Sequence, residues 1–138
     1  MALMALDVGE RRIGIAISES GILASPHSVL YRKSKKEDFA RLRRLMEELN
    51  VERVVVGIPY SLSGAERVGP QARRIQRYAQ ALAETVPIPI EYIDESYSTV
   101  DAEGFLQTSG QKKVSIDAAA AAVILQSYLD RGVAPDDV

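Results

Sequence analysis

Three carboxylates lie at the ends of predicted strands or at the start of a predicted helix, where the secondary structure would hold them rigidly. Asp7 follows an apolar run at residues 3–6, Glu95 follows the strand-like run at residues 90–93 and Asp94, and Asp117 lies in the first turn of the predicted last helix. Sites in open α/β sheets form beyond the carboxyl ends of strands, so we expect Asp7 and Glu95 to share one edge of the sheet.

Two of these acids, Asp7 and Asp117, also have a simpler interpretation. Asp7 before Val8 and Gly9 is typical of an Asx turn, and Asp117 is placed to stabilise a helix dipole. The residues that share the helix face of Asp117, however, include Ala120 and Ala121. Small side chains would let this helix lie close to the sheet and bring its carboxylate toward Asp7.

Three neighbouring carboxylates repel one another unless a cation lies between them. Mg²⁺ and Mn²⁺ prefer oxygen ligands, and two such ions about 3.5 to 4 Å apart can clamp the attacking and leaving oxygens of a phosphodiester. The acids therefore predict metal-dependent phosphodiester hydrolysis if the elements bring them together.

The predicted elements follow the order β, β, β, α, β, α, β, α, α. A hairpin occupies residues 1–17 and a third strand, bent or at an edge because of Pro26, occupies residues 21–31. A capping box at Ser34 and Glu37 begins a helix that ends near residue 50. Residues 51–59 contain a continuous, largely β-branched run at 54–59, which predicts a central parallel strand. Pro70 begins the next helix. A strand at residues 90–93, a short helix at 96–107 and a last helix from 115 to its cap at Gly132 complete the chain.

This order predicts an α/β fold with a mixed five-stranded sheet, antiparallel in its first three strands and parallel afterwards, and helices on both faces. The length of 138 residues fits one domain over residues 1–138. The chain has no cysteine, which excludes disulfides and thiolate chemistry. We find neither a signal peptide nor an apolar run of membrane-spanning length, and we expect a soluble cytoplasmic protein without a membrane partner.

The net charge of −2 argues against a uniformly basic nucleic-acid coat. Basic residues nevertheless form two groups, at residues 32–44 and at 67–77, which are either solvated helix faces or phosphate-binding surfaces. Guanidinium groups match phosphate oxygens. The candidates for phosphate contact are Arg11, Arg12, Arg73, Arg74 and Arg77.

Taken together, these segments resemble the YqgF (RuvX) family of candidate pre-16S rRNA nucleases and Holliday-junction-resolvase-like proteins, which have an RNase H-like fold. The resemblance covers nearly the whole chain in the right order. It is carried by residues 6–9, 11–16, 56–59, 94–95, 117–121 and 124–126, with Gly64.

The resemblance implies that the metal ligands and catalytic residues are Asp7, Glu95 and Asp117. It also implies a substrate-side loop shaped by Gly57, Pro59 and Gly64. The chain departs from the family after Glu95, where Ser96 and Tyr97 replace the usual arginine and aliphatic residue.

We therefore expect a Mg²⁺- or Mn²⁺-dependent nuclease, a monomer or weak homodimer, that acts on structured RNA, above all the precursor of 16S rRNA. Resolution of four-way DNA junctions is the alternative enzymatic function. A nucleotide-binding module and a non-catalytic nucleic-acid-binding protein are further alternatives, since the same strand and turn also occur in folds that bind nucleotides.

Overall fold

Five strands and three helices are seen in the computed structural model, which describes residues 2–59, 69–94 and 116–132. The strands are β1 (Ala2–Val8), β2 (Arg12–Ser18), β3 (Ser25–Tyr31), β4 (Val51–Ile58) and β5 (Ile90–Asp94). The helices are α1 (Lys35–Glu48), α2 (Pro70–Ala83) and α3 (Ile116–Gly132). This order agrees with the prediction, and the short helix predicted at residues 96–107 lies outside the described residues.

The strands form one sheet in the order β3-β2-β1-β4-β5. Strand β2 pairs antiparallel with β1 and β3, whereas β4 pairs parallel with β1 and β5. The predicted mixed sheet is therefore confirmed, and β1 lies at its centre. Because β1, β4 and β5 run the same way, their carboxyl ends meet at one edge.

The two faces of the sheet carry separate cores. Alternation along β1 places Met4, Leu6 and Val8 in the cluster that α1 and α2 cover, and it places Ala5 in the cluster that α3 covers. The β-branched run of β4 divides in the same way, as expected for a strand buried on both sides. Helices cover both faces, as predicted.

The turn between β2 and β3 differs from the prediction, because β3 begins at Ser25 and not at residue 21. The Ser20 hydroxyl accepts hydrogen bonds from the amides of Ile22 and Leu23, at 3.0 and 3.1 Å. These local bonds replace strand pairing in the turn. Strand β3 is an edge strand with a register shift at Pro26, as the proline predicted.

The helix boundaries follow from their caps. The Ser34 hydroxyl accepts a hydrogen bond from the Glu37 amide at 3.2 Å, which confirms the predicted start of α1. Asn50 adopts a φ of 54° just beyond the end of α1. Pro70 is the first residue of α2, as predicted.

None of the helices in the described ranges combines the length and apolar character needed to cross a bilayer.

Candidate active site

Asp7 lies at the carboxyl end of the central strand, one residue before β1 ends. Its neighbours Met4, Leu6 and Val8 face α1 and α2, so alternation directs the half-buried Asp7 side chain to the α3 face, as it does Ala5. The prediction that a rigid strand holds this acid at the edge of the sheet agrees with its position.

Gly14 explains how the last helix reaches this acid. Residues 7 and 14 are register partners in the β1 and β2 pair, and such partners lie about 4.5 to 5.5 Å apart at Cα. A Cβ atom at position 14 would overlap the backbone carbonyl oxygen of Asp117. The first turn of α3 therefore packs directly on the glycine that is paired with Asp7.

Of the two alanines predicted to let α3 lie close to the sheet, Ala121 packs against the strands, whereas Ala120 belongs to a separate cluster with Ala119. Ala121 and Ala122 are fully buried and pack in one cluster with Ala5 of β1, Ala16 of β2 and Val55 of β4. Small side chains on both the helix and the sheet let α3 lie close to the strands. Asp7 and the first turn of α3, which contains Asp117, thus lie at the same edge and on the same face of the sheet.

An arginine stands beside the second acid. The Nε of Arg12 lies 3.2 Å from Oδ2 of Asp117. The Arg12 side chain is 53% exposed and that of Asp117 is 24% exposed, so the pair is open to solvent and to a ligand. Arg12, one of the arginines predicted to contact phosphate, therefore has its guanidinium next to Asp117.

The remaining predicted acid, Glu95, lies outside the described residues. Within residues 2–59, 69–94 and 116–132, no three histidine, cysteine or acidic side chains form a group that could hold a metal ion.

Of the predicted loop residues, Gly57 is buried in β4 and Pro59 follows that strand, whereas Gly64 lies outside the described ranges. The predicted metal set and substrate loop remain predictions.

Two of the predicted phosphate-contacting arginines line one cavity at this edge of the sheet. A cavity of about 510 Å³ opens between the β1–β2 turn and α2, and Arg74 and Arg77 line it. Arg73 is exposed on α2 but is not in this wall, and Arg11 is exposed in the β1–β2 turn. We call this cavity the basic cleft; its wall also includes Val8, Gly9, Arg32 and Lys35.

Sequence reasoning missed the group that shapes the basic cleft. Asp38 is buried, with 1% of its surface exposed, and accepts hydrogen bonds from the Lys33 amide at 2.9 Å and from the Tyr78 hydroxyl at 3.2 Å. The Arg32 guanidinium lies 4.4 Å from the centre of the Tyr78 ring. Burial of the ring and the nearby Asp38 carboxylate raise the pKa of Tyr78, so its phenol stays protonated.

The signal for this network was present but ambiguous. Asp38 sits beside Glu37 within a basic stretch, where both acids look like members of a solvated helix face. Its partner Tyr78 is 40 residues away in the chain. Only the packing of α2 against α1 distinguishes the buried acid from its exposed neighbour.

Comparison with known proteins gives a consistent relationship along the chain. A family model described as RuvX, Holliday junction resolvase, matches residues 1–131. A protein from Syntrophomonas wolfei subsp. wolfei is 42% identical over 137 residues, which cover 96% of each chain. One from Synechocystis sp. is 40% identical over 135 residues, covering 94% of this chain and 88% of the relative. Both relatives are named as candidate pre-16S rRNA nucleases.

Solved structures show the same fold at low sequence identity. Thermus thermophilus RuvC, determined in complex with a Holliday junction substrate, superposes with a TM-score of 0.65 at 15% identity and 96% coverage of each chain. The fowlpox virus resolvase, in complex with Holliday junction DNA, gives a TM-score of 0.58 at 11% identity, covering 97% of this chain and 100% of that one. These likenesses confirm the predicted RNase H-like fold. With the family model matched from residue 1 to residue 131, the chain belongs to the RuvX (YqgF) family.

Proposed function

We propose that this protein is a metal-dependent nuclease that hydrolyses phosphodiester bonds in structured RNA, in processing of the 5′ end of precursor 16S rRNA. The observation that carries the proposal is that the first turn of α3, which contains Asp117, packs on Gly14, the register partner of Asp7. The proposed substrate is inferred from the names of the relatives, which are candidate pre-16S rRNA nucleases. A ribosome-processing role implies action in the cytoplasm.

The two described acids fit a hard divalent cation. Both are carboxylates, the donors that Mg²⁺ and Mn²⁺ prefer, and both lie where solvent and substrate can reach them. Two nearby carboxylates favour a cation between them. We propose Glu95, which follows β5 in the chain, as the third residue that would hold the metal, together with Asp7 and Asp117. When bound, the ions would supply Lewis-acid stabilisation of the reacting phosphate and an activated water.

The chain's own residues would hold the substrate around these acids. Arg12, beside Asp117, is placed to pair with a phosphate oxygen as well as with the carboxylate. Arg11 and Arg73 are exposed at the surface and are proposed as outer phosphate contacts. Gly57, Pro59 and Gly64 are proposed to shape the loop over the substrate.

The test is cleavage of ribosomal precursor RNA by the wild type, Asp7→Asn and Asp117→Asn, each with Mn²⁺ or with EDTA. We expect cleavage only by the wild type with Mn²⁺. Asp130→Asn is the matched control, because Asp130 lies near the other end of α3, where it accepts a hydrogen bond from Gln126. Metal-dependent cleavage by folded Asp7→Asn would refute the assignment.

A metal titration separates a nuclease from a non-catalytic binding protein without any substrate. Mg²⁺ or Mn²⁺ should raise the melting temperature of the wild type by mass action, and Asp7→Asn should reduce that rise. Tight ATP binding without nuclease activity would instead support the nucleotide-binding alternative.

Cleavage of four-way DNA junctions is a second candidate function, favoured by the shared fold. The Thermus and fowlpox virus proteins with this fold were both determined with a Holliday junction. Two symmetric cuts require two active sites, so this function requires a dimer. The junction is therefore tested in the same cleavage assay, together with the mass of the protein in solution.

A further inference from the structure

The basic cleft contains more positive charge than its surroundings neutralise. Among the described residues of its wall, the cations are Arg32, Lys35, Arg74 and Arg77, and the single carboxylate is Glu10. Glu10 approaches Arg74 only to 3.9 Å. Within the part of the chain that the structure describes, Lys35 and Arg77 form no salt bridge. Two cations that face a cavity without a carboxylate partner indicate a site for an anion.

The wall is fixed before any ligand arrives. The Arg32 guanidinium donates a hydrogen bond to the Gly9 carbonyl at 2.7 Å and stacks on the Tyr78 ring. Asp38 lies behind it, 3.9 Å from Arg32 Nε, and is itself bonded to the Tyr78 hydroxyl. Arg32 is therefore held at one place and loses little conformational entropy when an anion binds.

The same packing argues for a phosphate and against a stacked base. The Tyr78 ring is only 3% exposed. One of its faces is covered by Arg32, and Phe39 packs against it edge to face at 5.0 Å between ring centres. The ring therefore offers no free surface on which a base could stack. Apart from Glu10, the charged groups described in the wall of the cavity are cations, whose N–H donors suit phosphate oxygens.

The cleft adjoins the candidate active site but lies on the other face of the sheet. Val8 and Gly9 belong to its wall and directly follow Asp7 in the chain. Val8 faces α1 and α2, whereas Asp7 faces α3. A nucleic acid strand that crosses the β1–β2 turn at the edge of the sheet would reach both places.

We propose that the basic cleft binds a backbone phosphate of the nucleic-acid substrate, away from the phosphate that is cleaved, through Arg32, Lys35, Arg74 and Arg77. The inference rests on the proposed function for the identity of the ligand. It adds a second contact point, which holds the strand in register with the acids. Free inorganic phosphate is the other source of the same chemistry.

The experiment measures binding without cleavage. A labelled RNA hairpin with a single-stranded extension is titrated in EDTA at several salt concentrations with the wild type, Lys35→Ala and Arg77→Ala. Each variant should bind more weakly, and the slope of log affinity against log salt should be smaller by about one, the loss of one phosphate contact. Glu10→Gln should bind roughly two- to fivefold more tightly, the size of an exposed charge interaction.

Lys36→Ala and Arg43→Ala are the matched controls. Both residues are exposed on α1, carry the same charges and lie outside the wall of the cleft, so their variants should keep the wild-type slope. Equal losses in the cleft and control variants would overturn the proposal in favour of diffuse attraction. Protection of the wild type against heat by inorganic phosphate, lost in Arg77→Ala while RNA binding is unchanged, would overturn it in favour of a free-phosphate site.

Asp7→Asn separates this inference from the proposed function. It should bind the hairpin with the wild-type salt slope, because the cleft lies on the other face of the sheet. If the slopes of the cleft variants do not change while cleavage still requires Asp7, only the cleft proposal fails. If the wild type neither binds nor cleaves the RNA, the proposed function fails as well.

Discussion

Gly14 is the residue that connects packing with chemistry. It is paired with Asp7 across the hairpin, and the missing side chain makes room for the Asp117 carbonyl. A β-carbon there meets backbone, which cannot rotate away as the end of a flexible side chain could. Any larger residue must therefore displace the start of α3 or distort β2.

Gly14→Ser should destabilise the fold by about 1 to 3 kcal/mol, the usual cost of overpacking. Gly69→Ser is the matched control, because a Cβ at position 69 meets no atom of the described residues within 4 Å and serine is a favourable N-cap for α2. Urea unfolding of both variants measures the difference. Equal stability of the two would show that α3 can shift at no cost.

The same substitution should affect function more than stability. Displacement of the first turn of α3 moves Asp117 away from Asp7, so metal binding should weaken even at temperatures where Gly14→Ser is fully folded. The rise in melting temperature with Mn²⁺ is the measurement. A variant with the full wild-type rise would show that the acids do not depend on this close approach.

At the scale of elements, the pattern of apolar residues in the sequence was sufficient to predict the strands of the sheet and the helices that cover it. Apolar and β-branched runs predicted β1, β2 and β4, and the alanines of α3 predicted its close packing. The position of Asp7 at a strand end followed from the same patterns. These features depend on neighbours in the chain, which is why they could be predicted.

What could not be predicted depends on contacts between distant elements. Arg73, Arg74 and Arg77 share one helix and look equivalent in the sequence, yet only the last two line the basic cleft. The overlap of Gly14 with Asp117 joins residues at opposite ends of the chain. Such distinctions arise from the rotation of a helix about its axis and from its distance to the sheet, which no local pattern specifies.

Asp38 provides a test of how α1 and α2 are joined. It is a buried carboxylate that accepts hydrogen bonds from the Lys33 amide and the Tyr78 hydroxyl, so Asp38→Ala leaves both donors without their partner. We expect a loss of at least about 1 to 3 kcal/mol in the free energy of unfolding. Glu47→Ala, at an exposed position of the same helix, should change it by about 0.5 kcal/mol or less. Similar small losses in both would mean that solvent replaces the buried bonds.

For the molecule as a whole, net charge is a poor guide to what it binds. The chain carries −2 overall, yet four cations gather in one cleft beside the end of β1. A local field of one sign can attract a polyanion even when the total charge is slightly negative, since salt screens charges beyond about 10 Å. The fold places Asp7 and Asp117 on the α3 face of one edge and the cations of the basic cleft on the α1 and α2 face.

Alkaline pH tests the packing of the whole α1 and α2 side through Tyr78, whose pKa is raised by burial and by Asp38. In the unfolded chain a tyrosine loses its proton near pH 10, while the folded chain still holds it, so stability is complete below pH 10 and falls as the pH rises further. The contribution of one group is at most about 1.4 kcal/mol per pH unit.

Tyr78→Phe should be less stable than the wild type at pH 8, because the bond to Asp38 is lost, but its stability should fall less steeply above pH 10. Tyr31→Phe, in a side chain that is 62% exposed, should follow the wild type in urea unfolding at both pH values. Parallel curves for all three proteins would show that the Tyr78 phenol is hydrated in the folded state and that the wall of the basic cleft is open to water.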